Sequence, residues 1–213
     1  MKRIFFSLAL LLAVTALTAQ TNMTAREAAV KIADRILAST TYEFKNTKTG
    51  ETYKSVKKLP LDMNVKVACK YNNWHYTNGV TNMALMELGD KLADKKYEKY
   101  VLKNMNFVFN EGNLEFFRKQ YDEAFKQDGW NAVRKLSWHM IFRGKRLDDN
   151  GPMGASLIEL QMRYPNQSFL DYVNETAEHL NYGEPRLVDG TIARIWPHVN
   201  TIWADDAFMA ISF

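Results

Sequence analysis

The sequence predicts an all-α fold built from successive helical hairpins. Apolar residues recur three and four apart in run after run, and short connections rich in Asn, Asp and Gly separate the runs. No alternating stretch of five or more residues makes a convincing strand. With 213 residues the chain suits one domain of ordinary size. Its 13% aromatic and 24% charged content places it with globular rather than disordered chains.

The first residues read as an export leader. Lys2-Arg3 make a short basic start, and Ile4 to Leu17 is apolar but too short to span a bilayer comfortably. Cleavage is expected after Ala19, with Ala16 as the other choice, so 1–19 is set apart as a signal peptide and 20–213 as the folded domain. A secreted or periplasmic location follows, with no stable membrane insertion once the leader is removed.

The helices then come in order. Thr24-x-x-Glu27 is a capping box opening a run through Ala28, Ile32, Ile36 and Leu37. Residues 40–63 lose the period and carry Lys45, Lys48, Lys54, Lys57 and Lys58, so they read as a long polar, basic loop. Leu59, Leu61, Met63, Val65 and Val67 alternate but are taken as the approach to the next helix. That second helix follows Trp74 through Val80, Met83 and Leu88, and a third carries Tyr97, Val101, Met105 and Val108. A fourth runs from Leu114 to Phe125 and stops at Asp128-Gly129, and a fifth holds Val133, Leu136 and Met140. The sixth follows Asp148-Asp149, with Pro152 suited to its first turn. Ser168 can cap a seventh, through Leu170, Val173, Ala177 and Leu180. Asp189-Gly190 is a turn signal, and Trp203, Ala207 and Ile211 start an eighth helix. That helix reaches the last residue with no cap, which predicts a helical domain lacking part of itself.

Several functions are disfavoured by composition. The net charge of +4 includes Lys2 and Arg3, and +2 without them is too mild to suggest a nucleic-acid partner. Cys69 is the only cysteine, so no intrachain disulfide and no cysteine-based metal site can form. The histidines show no metal-ligand spacing, and no metal or organic cofactor is called for. No P-loop, dinucleotide fingerprint or serine nucleophile elbow is present.

What remains is two acidic turns, each opening an apolar helix: Asp148-Asp149-Asn150-Gly151 and Trp203-Ala204-Asp205-Asp206. Capping alone explains such carboxylates, since a helix start stabilises negative charge. Trp74, Trp196 and Trp203 are equally good core residues. Taken together they fit a carbohydrate pocket. An indole can desolvate a carboxyl and keep it protonated, a second carboxylate can orient water, indole faces stack on sugar rings, and Arg194 can fork onto a sugar carboxylate.

The motifs Trp74-x-Tyr76-x-Asn78-Gly79, Leu147-Asp148-Asp149-Asn150-Gly151-Pro152-Met153-Gly154, Asp189-Gly190 and Trp203-Ala204-Asp205-Asp206-Ala207-Phe208-Met209 come in this order from about Ala28 onward. Their order resembles glycoside hydrolase families 105 and 88, the unsaturated rhamnogalacturonyl and glucuronyl hydrolases, and family 105 most. The resemblance implies an (α/α)6 barrel, of which this chain would supply an incomplete part. It implies that Asp205 is the catalytic aspartate, that Trp203 is the indole beside it, and that Met209 is the pocket methionine. The earlier turn supplies the second functional carboxylate, with Asp149 favoured and Asp148 nearly as good. Arg194 falls where some members carry a histidine, Trp74 is a further substrate-binding expectation, and His198 a rim one. The implied substrate is an oligosaccharide with a 4,5-unsaturated uronic acid at its non-reducing end, as left by a polysaccharide lyase. The alternatives are a non-catalytic saccharide-binding protein and another (α/α)6 glycosidase or lyase acting on saturated chains.

Overall fold

A computed structural model of the chain describes residues 23–143, 146–195 and 197–211. The expected leader and Trp196 lie outside them, as does the side chain of Asp149. The described residues up to Arg35 belong to one compact unit and those from Ile36 to another. Helix α1 (Ala25–Ser39) begins in the first. Its capping box forms as expected: the Thr24 N–H donates to Glu27 Oε2 (2.8 Å), and the Glu27 N–H donates to Thr24 Oγ1 (3.2 Å).

The stretch expected to be loop holds a small antiparallel sheet of β1 (Phe44–Asn46), β2 (Thr52–Tyr53) and β3 (Val65–Val67), in the order β2-β1-β3. Phe44 pairs with Tyr53 on one side and Val67 on the other. Phe44, Val65 and Val67 face inward while Lys45 and Lys66 do not, the period of two that a half-buried strand requires. The Val65–Val67 alternation is therefore a strand rather than a helix approach. Strands this short make no run of their own in the sequence. Buried Gln120 fixes the sheet from the helical side, its Nε2 donating to the carbonyls of Asp62 (2.7 Å) and Val65 (2.9 Å).

The rest is helical, and the all-α fold of hairpins is what the described residues form. Helices α2 (Tyr76–Leu92) and α3 (Lys96–Val108) make the first hairpin, turning through Ala93 in the left-handed region (φ 52°). Helix α4 (Glu111–Val133) starts on an Asn110 cap, whose side chain accepts from the Asn113 N–H. It breaks at Asp128-Gly129, where Gly129 takes φ 49° and ψ −134°. The expected turn is thus a kink, and Val133 ends α4 rather than starting the next helix. Helix α5 (His139–Arg143) is correspondingly short. Phe44, Phe107, Phe117 and Trp138 pack ring to ring between sheet and helices, continuous with Trp74, Phe109 and Phe169.

Helix α6 (Leu147–Arg163) packs against α2, α7 (Gln167–Glu178) and α8 (Ala204–Ile211). It begins before Pro152 rather than at it, so the proline sits in the second turn and has no N–H to give the Asp148 carbonyl. Two glycines let its N-terminal end approach its neighbours at backbone distance. A Cβ at Gly79 would lie 2.3 Å from the Pro152 carbonyl carbon, and one at Gly151 1.9 Å from the Met209 carbonyl oxygen. Asn166 rather than Ser168 caps α7, accepting from the Ser168 N–H. The helix then widens into a π-turn over His179–Gly183. Among the described residues no helix is long and apolar enough to cross a membrane.

Candidate active site

The two acidic turns are brought to one place, and Arg194 joins them. Two small loops carry it, one closed by the Arg186–Ile192 bridge and one by the Arg194–Thr201 bridge. The first includes the expected Asp189-Gly190 turn, where the Thr191 N–H donates to Asp189 Oδ1. In the second, the Arg194 N–H donates to the Thr201 carbonyl (2.8 Å). This fixes the arginine backbone and sends its side chain between the starts of α6 and α8.

The guanidinium has a partner on each turn and one on its face. Its Nε donates to both Asp206 oxygens (2.7 and 2.8 Å), and its Nη2 lies 2.5 Å from Asp206 Oδ1. The same Nη2 reaches Asp148 Oδ1 at 3.3 Å. The Trp203 ring lies under Cζ, 4.2 Å from centroid to carbon, within cation–π range. Asp206 also accepts from the Trp203 N–H (2.8 Å), the reciprocal half of a capping box at the α8 start. Burial pushes the Asp206 carboxyl up, but the Arg194 hydrogen bonds and the Trp203 N–H outweigh it, and the pKa is lowered. The Asp206 contact in turn raises the Arg194 pKa.

Asp206 is therefore the buried carboxylate of the pair, and Asp205 the exposed one. Trp203, 44% exposed, does not enclose Asp205, so the expected desolvation by that indole is not built into the chain. Met209 lies beneath the site, packed with Leu147 and Leu180. Trp74 is fully buried, with Tyr172 edge-on at 4.9 Å and Phe109 at 6.0 Å. A stacking platform needs an open face, so Trp74 is a core residue and leaves the site. His198 is exposed on the Arg194 loop, where its carbonyl accepts from Thr201 Oγ1. Asp149 takes its place in the first turn of α6 beside Asp148.

A cleft of about 300 Å³ opens beside Arg194, lined among others by Arg146, Asp148, His179, Glu184 and Ile195. That is the lower end of the range for small-ligand sites. Sequence reading missed three of the residues here. Asp206 had no deciding signal: Asp205 and Asp206 stand four and three residues before Met209, and both spacings fall on one face of a helix. His179 and Glu184 had none, because residues five apart share a face only where the helix widens into a π-turn. Among the described residues no cluster of three metal-ligating side chains forms.

The family model described as Glycosyl Hydrolase Family 88 matches residues 54–213, a stretch that contains both acidic turns, Arg194 and the cleft. The chain belongs to that family. No curated protein matches it. Family 88 membership makes the chain a glycoside hydrolase and its substrate a carbohydrate. The cleft's lining includes Asp148 and Arg194, and Arg194 in turn contacts Asp206 and Trp203.

Proposed function

We propose that the chain removes a 4,5-unsaturated uronic acid from the non-reducing end of lyase-generated oligosaccharides, as an unsaturated rhamnogalacturonyl hydrolase of the family 105 kind. The observation that carries this reading is the Arg194 bridge, which ties the two acidic turns together beside the cleft and leaves Asp205 exposed next to buried Asp206. A guanidinium and an exposed indole beside a free carboxyl suit an anionic sugar.

The unsaturated sugar is a vinyl ether, so hydrolysis starts at its double bond. Asp205 in its acid form gives a proton to C4. Water then adds its oxygen to the electron-poor C5 and loses a proton to the Asp205 carboxylate. The resulting hemiketal opens, and the glycosidic bond separates with it. No covalent enzyme intermediate is needed, so the carboxylate spacings of retaining and inverting glycosidases do not govern this site. Asp149, or Asp148 beside it, acts as the second functional carboxylate, while Trp203 and Arg194 hold the uronate. Asp205 is exposed in the free chain and so open to a sugar ring laid over it. The leader 1–19 would export the enzyme to the periplasm or beyond it.

The conjugated double bond absorbs in the ultraviolet and hydration removes the signal, so turnover is read directly. Incubation with an unsaturated rhamnogalacturonan disaccharide is expected to lose absorbance, and Asp205→Asn to abolish the loss while the circular dichroism spectrum is unchanged. Equal turnover in that variant would remove Asp205 as the proton donor. Binding without turnover by the wild-type chain would favour a saccharide-binding protein, and release of saturated sugars would favour a glycosidase acting on ordinary chains.

A further inference from the structure

The cleft has a wall that the acidic turns do not supply. At the end of α7 the chain widens by one residue per turn, and the Glu184 N–H closes the π-turn onto the His179 carbonyl (3.0 Å). That spacing sets the two side chains together, His179 Nε2 lying 3.1 Å from Glu184 Oε1. Gly183 makes room for the imidazole, since a Cβ there would stand 2.3 Å from His179 Nδ1. The Glu184 side chain is 8% exposed and His179 22%, and both line the cleft that contains Asp148 and Arg194. Single-turn π-helical insertions are frequent at functional sites. Nothing in the packing of α7 calls for one here: its apolar spacing continues regularly through Ala177 and Leu180.

We propose that His179 and Glu184 form a substrate-contacting pair that binds hydroxyl groups of the sugar, on the wall of the cleft that also holds Asp148 and Arg194. This rests on the uronyl hydrolase reading for the identity of the sugar, but not for its being a sugar. The chemistry favours hydroxyls over a carboxylate. Glu184 would repel a uronate, whereas a neutral hydroxyl meets no such repulsion. With Oε1 engaged by the imidazole, the carboxyl offers Oε2 to a sugar hydroxyl, a hydrogen-bonding mode suited to a largely buried side chain. Burial raises the Glu184 pKa, and nearby Asp206 pushes the same way against the opposing His179 and Arg194. A proton held at that carboxyl would let it donate as well as accept.

The test uses the full chain and the variants Glu184→Ala, Glu184→Gln and Gly183→Ala, each checked for an unchanged melting curve. With unsaturated disaccharide, Glu184→Ala is expected to raise KM about tenfold, far more than it lowers kcat, the loss of one hydrogen bond to a buried carboxyl. Glu184→Gln should recover most of this, and Gly183→Ala should reproduce it by displacing the imidazole. A merely structural pair would lower the melting temperature and leave KM alone. KM within twofold of wild type in both Glu184→Ala and Gly183→Ala overturns the proposal. If the wild-type chain does not turn over the disaccharide, the reaction reading fails, and the pair is judged by calorimetric binding of saturated galacturonate. There, about tenfold weaker binding in Glu184→Ala supports the pair, while unchanged binding, or none by the wild type, overturns it.

Discussion

At the scale of single residues, the two neighbours Asp205 and Asp206 have been assigned opposite tasks by helix geometry. Asp206 is turned inward, where Arg194 and the Trp203 N–H take up both its oxygens. Its loss leaves a guanidinium that is 14% exposed with the longer Asp148 contact, 3.3 Å, as its remaining ion pair among the described residues. Removing one partner of such a buried pair costs about 3 kcal/mol, so Asp206→Asn is expected to lower unfolding free energy by that order, read from urea denaturation. The lowered Asp206 pKa fixes the sign of its pH dependence. Its contribution is present above the ordinary carboxylate range and is lost as pH falls through the folded value. Glu184 behaves oppositely: its raised pKa favours the folded state at low pH, and that advantage disappears as pH rises through the folded value. Little of this division was legible in the sequence. Two adjacent aspartates announce a helix start, but their spacings to Met209, four and three, both suit the inward face, and only the Arg194 and Trp203 contacts tell them apart. Trp74 and Trp203 likewise look alike as letters, and burial alone makes one core and the other surface.

Among elements, α6 decides the site, because its first turn lies against α2 on one side and α8 on the other. The contact at Gly151 is backbone against backbone, with no flexible side chain to yield. Gly151→Ala is expected to push α8 away, costing about 1 to 3 kcal/mol in stability. It should also lower turnover, because Asp205 and Trp203 ride on the displaced helix start. Denaturant titration and the absorbance assay check the two parts. The helices themselves were legible almost one for one, since apolar residues three and four apart persist over several turns. The exceptions have physical causes. Strands of two or three residues make no run of their own in the sequence, and the alternation of 59–67 reaches well beyond the three residues of β3. Asp128-Gly129 reads as a stop, yet helical hydrogen bonding resumes beyond it. Pro152 looks like a helix start, but the α6 backbone tolerates it a turn later.

Across the whole of the second unit, the far end of α6 is tied down as firmly as the near end. Buried Glu98 of α3 accepts from the Tyr164 hydroxyl, from Arg163 Nη1 (2.7 Å) and from Lys95 Nζ (3.0 Å). Arg163 also forks onto Asp90 of α2 (3.0 and 2.8 Å). The Tyr164 hydrogen bond leads the lowering of the Glu98 pKa, which burial opposes and Arg163 and Lys95 reinforce, to about 2 from 4.5. The folded value lies below the unfolded one, so stability from this network is complete above pH 4.5 and drains away as pH falls toward 2. Wild-type unfolding free energy should therefore drop across that window, and Glu98→Gln, starting about 3 kcal/mol lower, should drop less, as followed by urea titrations at stepped pH. Helix α6 thus carries a fixed point at each end, Arg194 on its first turn and Glu98 on its last. One added residue between them would rotate one end against the other by about 100° and move them about 1.5 Å further apart, so no short insertion keeps both contacts. Insertions and deletions between Gly151 and Arg163 are therefore barred, and spelling there is free only outside the buried positions, Met153, Ala155, Leu157 and Leu160 among them.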